Sequence, residues 1–271
     1  MGEALVIGDD ELATPASARQ AFAEAGADVT TAVCVSSAMV YGAWPDNPVP
    51  LTEDAAVRPN PGFDVATGLA EVERIAREWR LAADGRTLAV LRPVTVLGGG
   101  APEPVARVLA GVVPLRVQTD IPPAQYVDRG DVEEAIRVAV AQRLDGVFNV
   151  APSGWIAGEE VEALRGDRRR VRVPARVFRM LTRTFSRPGT TSSAAVVPYL
   201  VHPWVVANDR LVRAGWRPRH SNQEVLVAAL EGRAPRELGA RDRQRLALGG
   251  AALAVAGVAA GVVALVRRRR G

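Results

Sequence analysis

The chain has 271 residues, 48% of them apolar and 24% charged, the balance of a globular protein with an ample core in one large domain or two small ones. Its formal charge is +4, and the terminal cluster Arg267 to Arg270 accounts for that excess; the near-neutral body gives nucleic-acid binding little support. Cys34 is the single cysteine, which excludes an internal disulfide and fits a reducing compartment, and two scattered histidines beside it make no metal site.

All 34 basic residues are arginine, and lysine is absent from the chain. Abundant Ala, Arg, Val and Gly point to a GC-rich coding sequence as one source of that absence. The opening Met1-Gly2-Glu3-Ala4 lacks a basic n-region, so no secretory signal is expected.

In chain order, Glu3 to Gly8 predicts a short strand, and Pro15 to Glu24 a helix stopped by Gly26. The β-branched run Thr30 to Ser36 predicts a buried strand, with Cys34 an inert buried thiol inside it. A loop rich in Pro, Asn and Asp follows from Ala43 to Gly62. From Leu69 to Leu81 the spacing is helical, with Leu69, Val72, Ile75, Ala76 and Trp79 on one face. Thr87 to Leu91 reads as a strand closed by Arg92-Pro93.

Pro104 to Ala110 and Asp131 to Ala141 predict helices, Gly146 to Val150 a strand, and Glu159 to Leu164 a helix after the turn at Ser153 to Ile156. Gly166 to Arg172 is a basic loop, read as a solvated surface run rather than a phosphate site; Val177 to Phe185 is amphipathic, and Asn208 to Gly215 holds a short helix. Strands alternating with helices argue for a parallel sheet with both faces covered.

The tail differs from the rest. Ala234 to Arg245 is a charged linker, and Leu246 to Val266 is an unbroken uncharged run. At ~1.5 Å per residue it reaches roughly 30 Å, enough to cross a hydrocarbon core. Residues 246–266 are therefore expected to form a transmembrane helix, with 267–271 an Arg-rich tail. A buried core helix and an Arg-tipped helix lying in the membrane interface are the alternatives. A body with no export signal is expected to stay cytoplasmic on this single-pass anchor.

Several segments carry a family resemblance. Ser36-Ser37-Ala38-Met39-Val40-Tyr41-Gly42 resembles the turn that bears the active-site serine in extended short-chain dehydrogenases/reductases, the NAD-dependent epimerase/dehydratase family. Val90-Leu91-Arg92-Pro93 with Val96-Leu97-Gly98 is similar to that family's strand and loop beside the nicotinamide. Gln125 to Val132 is similar to its Q-[FY]-V-H-V-x-D segment, with Asp128 replacing the usual His, and Gly146 to Ala151 to its G-x-[FY]-N-[VI]-x. Asn208 to Leu211 through Gly215-Trp216-Arg217-Pro218 resembles its late helix. Gly154-Trp155-Ile156 and His202 to Asp209 resemble an actinobacterial, membrane-tailed branch. The resemblance runs from about Ala18 to Arg245 and implies a Rossmann-like fold, NAD or NADP as cofactor, a nucleotide-sugar type of substrate and a homodimer. On it, Ser37 is the retained catalytic-type serine, and Ser36, Arg92 and Pro93 are the residues expected beside the cofactor.

Three family features are missing. After the first predicted strand, Gly8-Asp9-Asp10-Glu11 offers one glycine and three acids where G-x-x-G-x-x-G should let backbone amides approach a pyrophosphate. Within Gly62 to Glu73, Val65 and Leu69 stand where the family's Tyr and Lys belong. A free tyrosine has a pKa of about 10, and a lysine one turn away lowers it while holding the ribose; Val65 and Leu69 keep the helix face but not that chemistry. Tyr41, Tyr126 and Tyr199 have no basic residue four positions on. Ser37 at a strand end also reads as a turn cap.

The expected architecture is thus α/β. An incomplete, N-terminally truncated Rossmann-like parallel sheet and a smaller C-terminal substrate-type region together span residues 1–233, ahead of the linker and the transmembrane helix. The expected function is a catalytically impaired relative acting as a membrane-anchored scaffold or regulator. The first alternative is an active NAD(P)-dependent oxidoreductase or epimerase with a non-standard base, for which Asp64 and Glu71 are the nearest carboxylates. The second is a mis-started fragment, whose upstream glycine loop would restore the cofactor site yet leave Val65 and Leu69 in place.

Overall fold

Four parallel strands form the main sheet: β1 (Ala4–Ile7), β2 (Thr31–Val35), β3 (Thr87–Pro93) and β7 (Gly146–Val150), in the order β1-β2-β3-β7. The computed structural model describes residues 4–9, 12–98, 104–110, 115–117, 121–165, 171–173 and 193–231. The chain divides into two units, Met1–Leu230 and Glu231–Gly271, and everything described below lies in the first or at Glu231.

The sequence Thr31-Ala-Val-Cys-Val35 is buried along its whole length, as a parallel strand covered on both faces must be. Its side chains alternate between two cores. Ala32 and Cys34, with Leu88 and Val90 of β3, meet Ala18 and Phe22 of helix α1 (Pro15–Glu24) and Val72, Ile75, Ala76 and Trp79 of helix α2 (Asp64–Leu81). Val33 and Val35, with Ala89 and Leu91, face the opposite core, which holds Val132, Ala135 and Ala139 of helix α4 (Arg129–Ala141) together with Leu211 and Trp216. Burying each Val, Leu, Ile or Phe among them stabilises the fold by about 1.5–3 kcal/mol.

Local chemistry sets the helix ends. Thr14 caps α1 in a capping box: its Oγ1 accepts from the Ser17 amide at 3.1 Å, the Ser17 Oγ accepts from the Thr14 amide at 2.9 Å, and Pro15 follows at the first helical position. The predicted face of α2 is buried as expected, but the helix begins at Asp64 rather than Leu69, because Ala66 also enters the core and Val65 packs against it. Phe22 and Trp79 lock α1 to α2, ring centroids 5.3 Å apart. Leu69 and Val72 are buried within the chain.

A smaller region surrounds a third core made by Leu97, Ala106, Tyr126, Ile156, Val161, Val225, Leu226 and Leu230. It contains the pair β4 (Thr95–Leu97) with β6 (Tyr126–Asp128), the helices α3 (Pro104–Leu109) and α5 (Gly158–Arg165), and a helix at Asn222–Glu231. Asn222 ties that last helix in, its Oδ1 accepting from the Tyr126 amide at 3.0 Å. A second short pair, β5 (Leu115–Val117) with β8 (Val171–Val173), corrects one expectation: Arg172 lies in a strand and not in a loop.

The fold is therefore α/β with a Rossmann-like parallel sheet and a smaller C-terminal region. Among the described residues no helix is long and apolar enough to cross a membrane. The expected span 246–266, the linker before it, the Arg tail after it and the amphipathic stretch 177–185 lie outside the described residues.

Candidate active-site cleft

Parallel sheets place their crevices outside the carboxyl ends of the strands. Here Gly8 and Asp9 follow β1, Ser36 and Ser37 follow β2, and Pro93 and Val94 end β3; all six line one cleft of about 130 Å³. Val65 and Leu69 of α2 form one wall, and Val132, Glu133 and Ile136 of α4 stand among the others. The four-residue spacing puts Val65, Leu69 and Glu73 on one side of α2.

Gly8 has φ of 83°, and a Cβ there would lie 2.6 Å from the Val35 carbonyl oxygen. Close packing of β1 on β2 thus demands this glycine, and the turn delivers Asp9 to the cleft mouth.

Ser37 begins a 3-10 turn at Ala38–Tyr41, and its Oγ accepts from the Met39 amide at 3.2 Å. The same hydroxyl lies 3.4 Å from the Pro93 carbonyl oxygen, at the long limit of a hydrogen bond. Ser36 turns the other way and donates to Glu73 Oε1 at 2.7 Å.

Glu73 anchors a buried polar network behind the α2 wall. Arg92 donates to it twice, from Nε at 2.9 Å and from Nη2 at 2.6 Å, and Arg77 donates at 2.5 Å. The Arg92 guanidinium lies 4.6 Å from the Tyr41 ring centroid, and Tyr41 Oη donates to Asn149 Oδ1 at 2.8 Å. Burial opposes the Arg92 charge, but the hydrogen bonds and charge of Glu73 outweigh it and hold its pKa above the ordinary value. Arg92 was expected beside a cofactor; committed to Glu73, it is not among the residues that line the cleft. Ser36, Ser37, Pro93, Val65 and Leu69 are brought together there.

No tyrosine lines the cleft. Burial raises the pKa of Tyr41 and of Tyr199, whose Oη donates to the Met39 carbonyl at 2.8 Å, so neither is poised as a base. Tyr126 packs in the third core and accepts from Arg165 at 3.2 Å. The Cys34 thiol, pushed up to about 12 by burial and then by Glu73, is inert. Asp64 and Glu71 do not reach the cleft either. Glu71 pairs with Arg74 and Arg19 on the outer side of the helix, and the Arg74 hydrogen bond lowers its pKa. Among the described residues no cluster of His, Cys, Asp and Glu could hold a metal ion.

Against the dinucleotide site that the resemblance implies, two differences stand out: the turn after β1 brings the Asp9 carboxylate to the cleft, and the α2 wall offers the hydrocarbon of Val65 and Leu69 in place of ribose ligands. Glu133 was not singled out from the sequence. Its signal was available in the predicted helix from Asp131, whose first turn opens toward the strand ends.

The parallel α/β sheet, with the Ser37 turn at the carboxyl end of β2, is a Rossmann-like fold of the kind seen in solved NAD(P)-dependent epimerases and dehydratases. Among solved structures the chain is similar to the dTDP-glucose 4,6-dehydratase of Bacillus anthracis in complex with NAD, at 15% identity over 76% of this chain and 62% of that one, TM-score 0.54. It is similar also to the human epimerase family protein SDR39U1 with NADPH, at 16% identity over 82% of this chain and 74% of that one, TM-score 0.58. A third is the UDP-glucose 4-epimerase of Thermus thermophilus with NAD, at 20% identity over 80% and 66%, TM-score 0.52. The chain thus spans about three fifths of the dehydratase's length. No protein-family model and no curated protein sequence matches it.

Proposed function

We propose that this chain is a member of the NAD-dependent epimerase/dehydratase family that has given up the family's proton and hydride chemistry and serves as a membrane-anchored scaffold or regulator. One observation carries the reading: Val65 and Leu69 line the cleft beside Ser37, where the family resemblance calls for Tyr and Lys. Two hydrocarbon side chains can neither exchange a proton at a reacting carbon's oxygen nor depress a neighbour's pKa. Fold alone does not restore that chemistry. The uncharged run 246–266, bracketed by arginines, supports the tether, with the body on the cytoplasmic side.

The test is titration of NADH and NADPH into the full chain in lipid nanodiscs, followed by nucleotide fluorescence. No saturable binding up to millimolar nucleotide is expected. Binding in the micromolar range, with turnover of a nucleotide sugar, overturns the reading.

A further inference from the structure

What remains in the cleft once catalysis is set aside is a partly enclosed, largely apolar chamber. Met39, Val65, Leu69 and Val94 supply hydrocarbon surface, and Ser36, Ser37 and Thr95 supply hydroxyls, that of Ser36 already donated to Glu73 and that of Ser37 loosely held. Its volume of about 130 Å³ is close to the roughly 150 Å³ of apolar cavities that stay dry and accept a benzene-sized molecule. Ser37 Oγ already accepts from the Met39 amide, and its proton is engaged only with the Pro93 carbonyl at 3.4 Å. That proton can turn to a better-placed acceptor at small cost.

Charge narrows the ligand further. Among the described residues, Asp9, Arg129 and Glu133 are the charged ones lining the cleft, two carboxylates against one guanidinium. A phosphate or carboxylate meets repulsion at the mouth and an unpaired desolvation cost inside.

We infer that the cleft is a binding site for a small uncharged molecule, about the size of one six-membered ring, with a single hydroxyl or carbonyl oxygen directed at Ser37. This rests on the non-catalytic reading and deepens it: the wall that ended catalysis becomes the binding surface, and occupancy of the cleft is what the scaffold senses.

The experiment uses the full chain in lipid nanodiscs, with empty nanodiscs as the control for partitioning into lipid. Methyl NMR follows Val65, Leu69 and Met39 during titration with benzyl alcohol, toluene, benzoate and NADH. Benzyl alcohol and toluene are expected to shift those methyls saturably, and benzoate to bind at least ~10-fold more weakly than benzyl alcohol. In Ser37→Ala, benzyl alcohol affinity is expected to fall about 5- to 10-fold, the loss of one hydrogen bond, with toluene unchanged as the check that the cleft is intact. Absence of saturable methyl shifts with either neutral probe overturns this site, and benzoate binding as tightly as benzyl alcohol does so too. Neither result touches the non-catalytic reading. Micromolar NADH binding at the same methyls overturns that reading instead.

Discussion

Arg92 grips Glu73 through two hydrogen bonds of 2.9 and 2.6 Å, with the two side chains only 2% and 0% exposed. The pair joins β3 to α2 behind the cleft and fixes the wall that carries Val65 and Leu69. Removing Glu73 strands the buried Arg92 charge, at a cost of about 3–5 kcal/mol, whereas removing Arg92 leaves Glu73 its Arg77 ion pair and its Ser36 hydrogen bond. Glu73→Ala is expected to lose that much in urea unfolding, and Arg92→Ala less. The double variant is expected to lose clearly less than their sum, because neither charge is then stranded. Additive losses would show that the two side chains do not act as a pair.

The thiol of Cys34 gives a pH prediction whose sign is fixed. Burial first, and Glu73 second, raise its pKa from the ordinary 9.0 to about 12. The folded chain holds the proton where the unfolded chain releases it. The stability from this group is present in full below about pH 9 and is lost as pH rises toward 12. Tyr41 and Tyr199, also raised by burial, add to the alkaline loss, so the comparison is with Cys34→Ala, expected to show the shallower decline. A disulfide reagent at pH 8 should leave the native thiol unlabelled and react fully after denaturation; fast labelling of the native chain contradicts the buried placement.

Much of this was legible in the sequence because it was written in period and chemistry. The apolar face from Leu69 to Trp79 marks α2, the run Pro15 to Glu24 with Gly26 as its stop marks α1, and Thr30 to Ser36 admits little but a buried strand. The substitutions at Val65 and Leu69 could be read only against the family resemblance. Strands of three residues, such as β4 and β6, are too short to display a period of two. The helix Asn222–Glu231 was missed because Val225 to Leu230 is apolar nearly all round and shows no stripe. The Arg92–Glu73 pair joins positions 19 apart, and no local pattern announces it. Its one signal was a glutamate eight residues after Val65, on the side of a helix that otherwise carries apolar residues.

The tail makes a separate prediction. If 246–266 spans a bilayer, the full chain stays with membranes through a carbonate wash, while an interfacial helix held by arginine and anionic lipid is released by high salt or alkali. Two arginine substitutions near the middle of the run, at Val255 and Val258, should free the protein, since each central arginine adds about 2.5–3.5 kcal/mol to insertion. Retention of that variant on membranes would place the attachment elsewhere in the chain.

The last prediction concerns whether catalysis can be put back. Leu69 is 1% exposed, with Val65 one turn before it on the same wall. In Leu69→Lys an ammonium enters an apolar wall, and Glu73, one turn on, is already engaged by Arg92, Arg77 and Ser36; of the lining carboxylates, Asp9 follows β1 and Glu133 belongs to α4. The variant is expected to lose about 2–5 kcal/mol, and its lysine to titrate well below the ordinary range. Adding Val65→Tyr supplies a phenol but no cradle for a pyrophosphate, because the turn at Gly8 is committed to packing on Val35. The double variant is therefore expected to bind neither NADH nor NADPH and to turn over no nucleotide sugar, with stability followed by thermal melting and binding by nucleotide fluorescence. Should it gain micromolar nucleotide binding, Val65 and Leu69 alone were what kept the cofactor out, and the turn after β1 would have to be read as competent to hold phosphate.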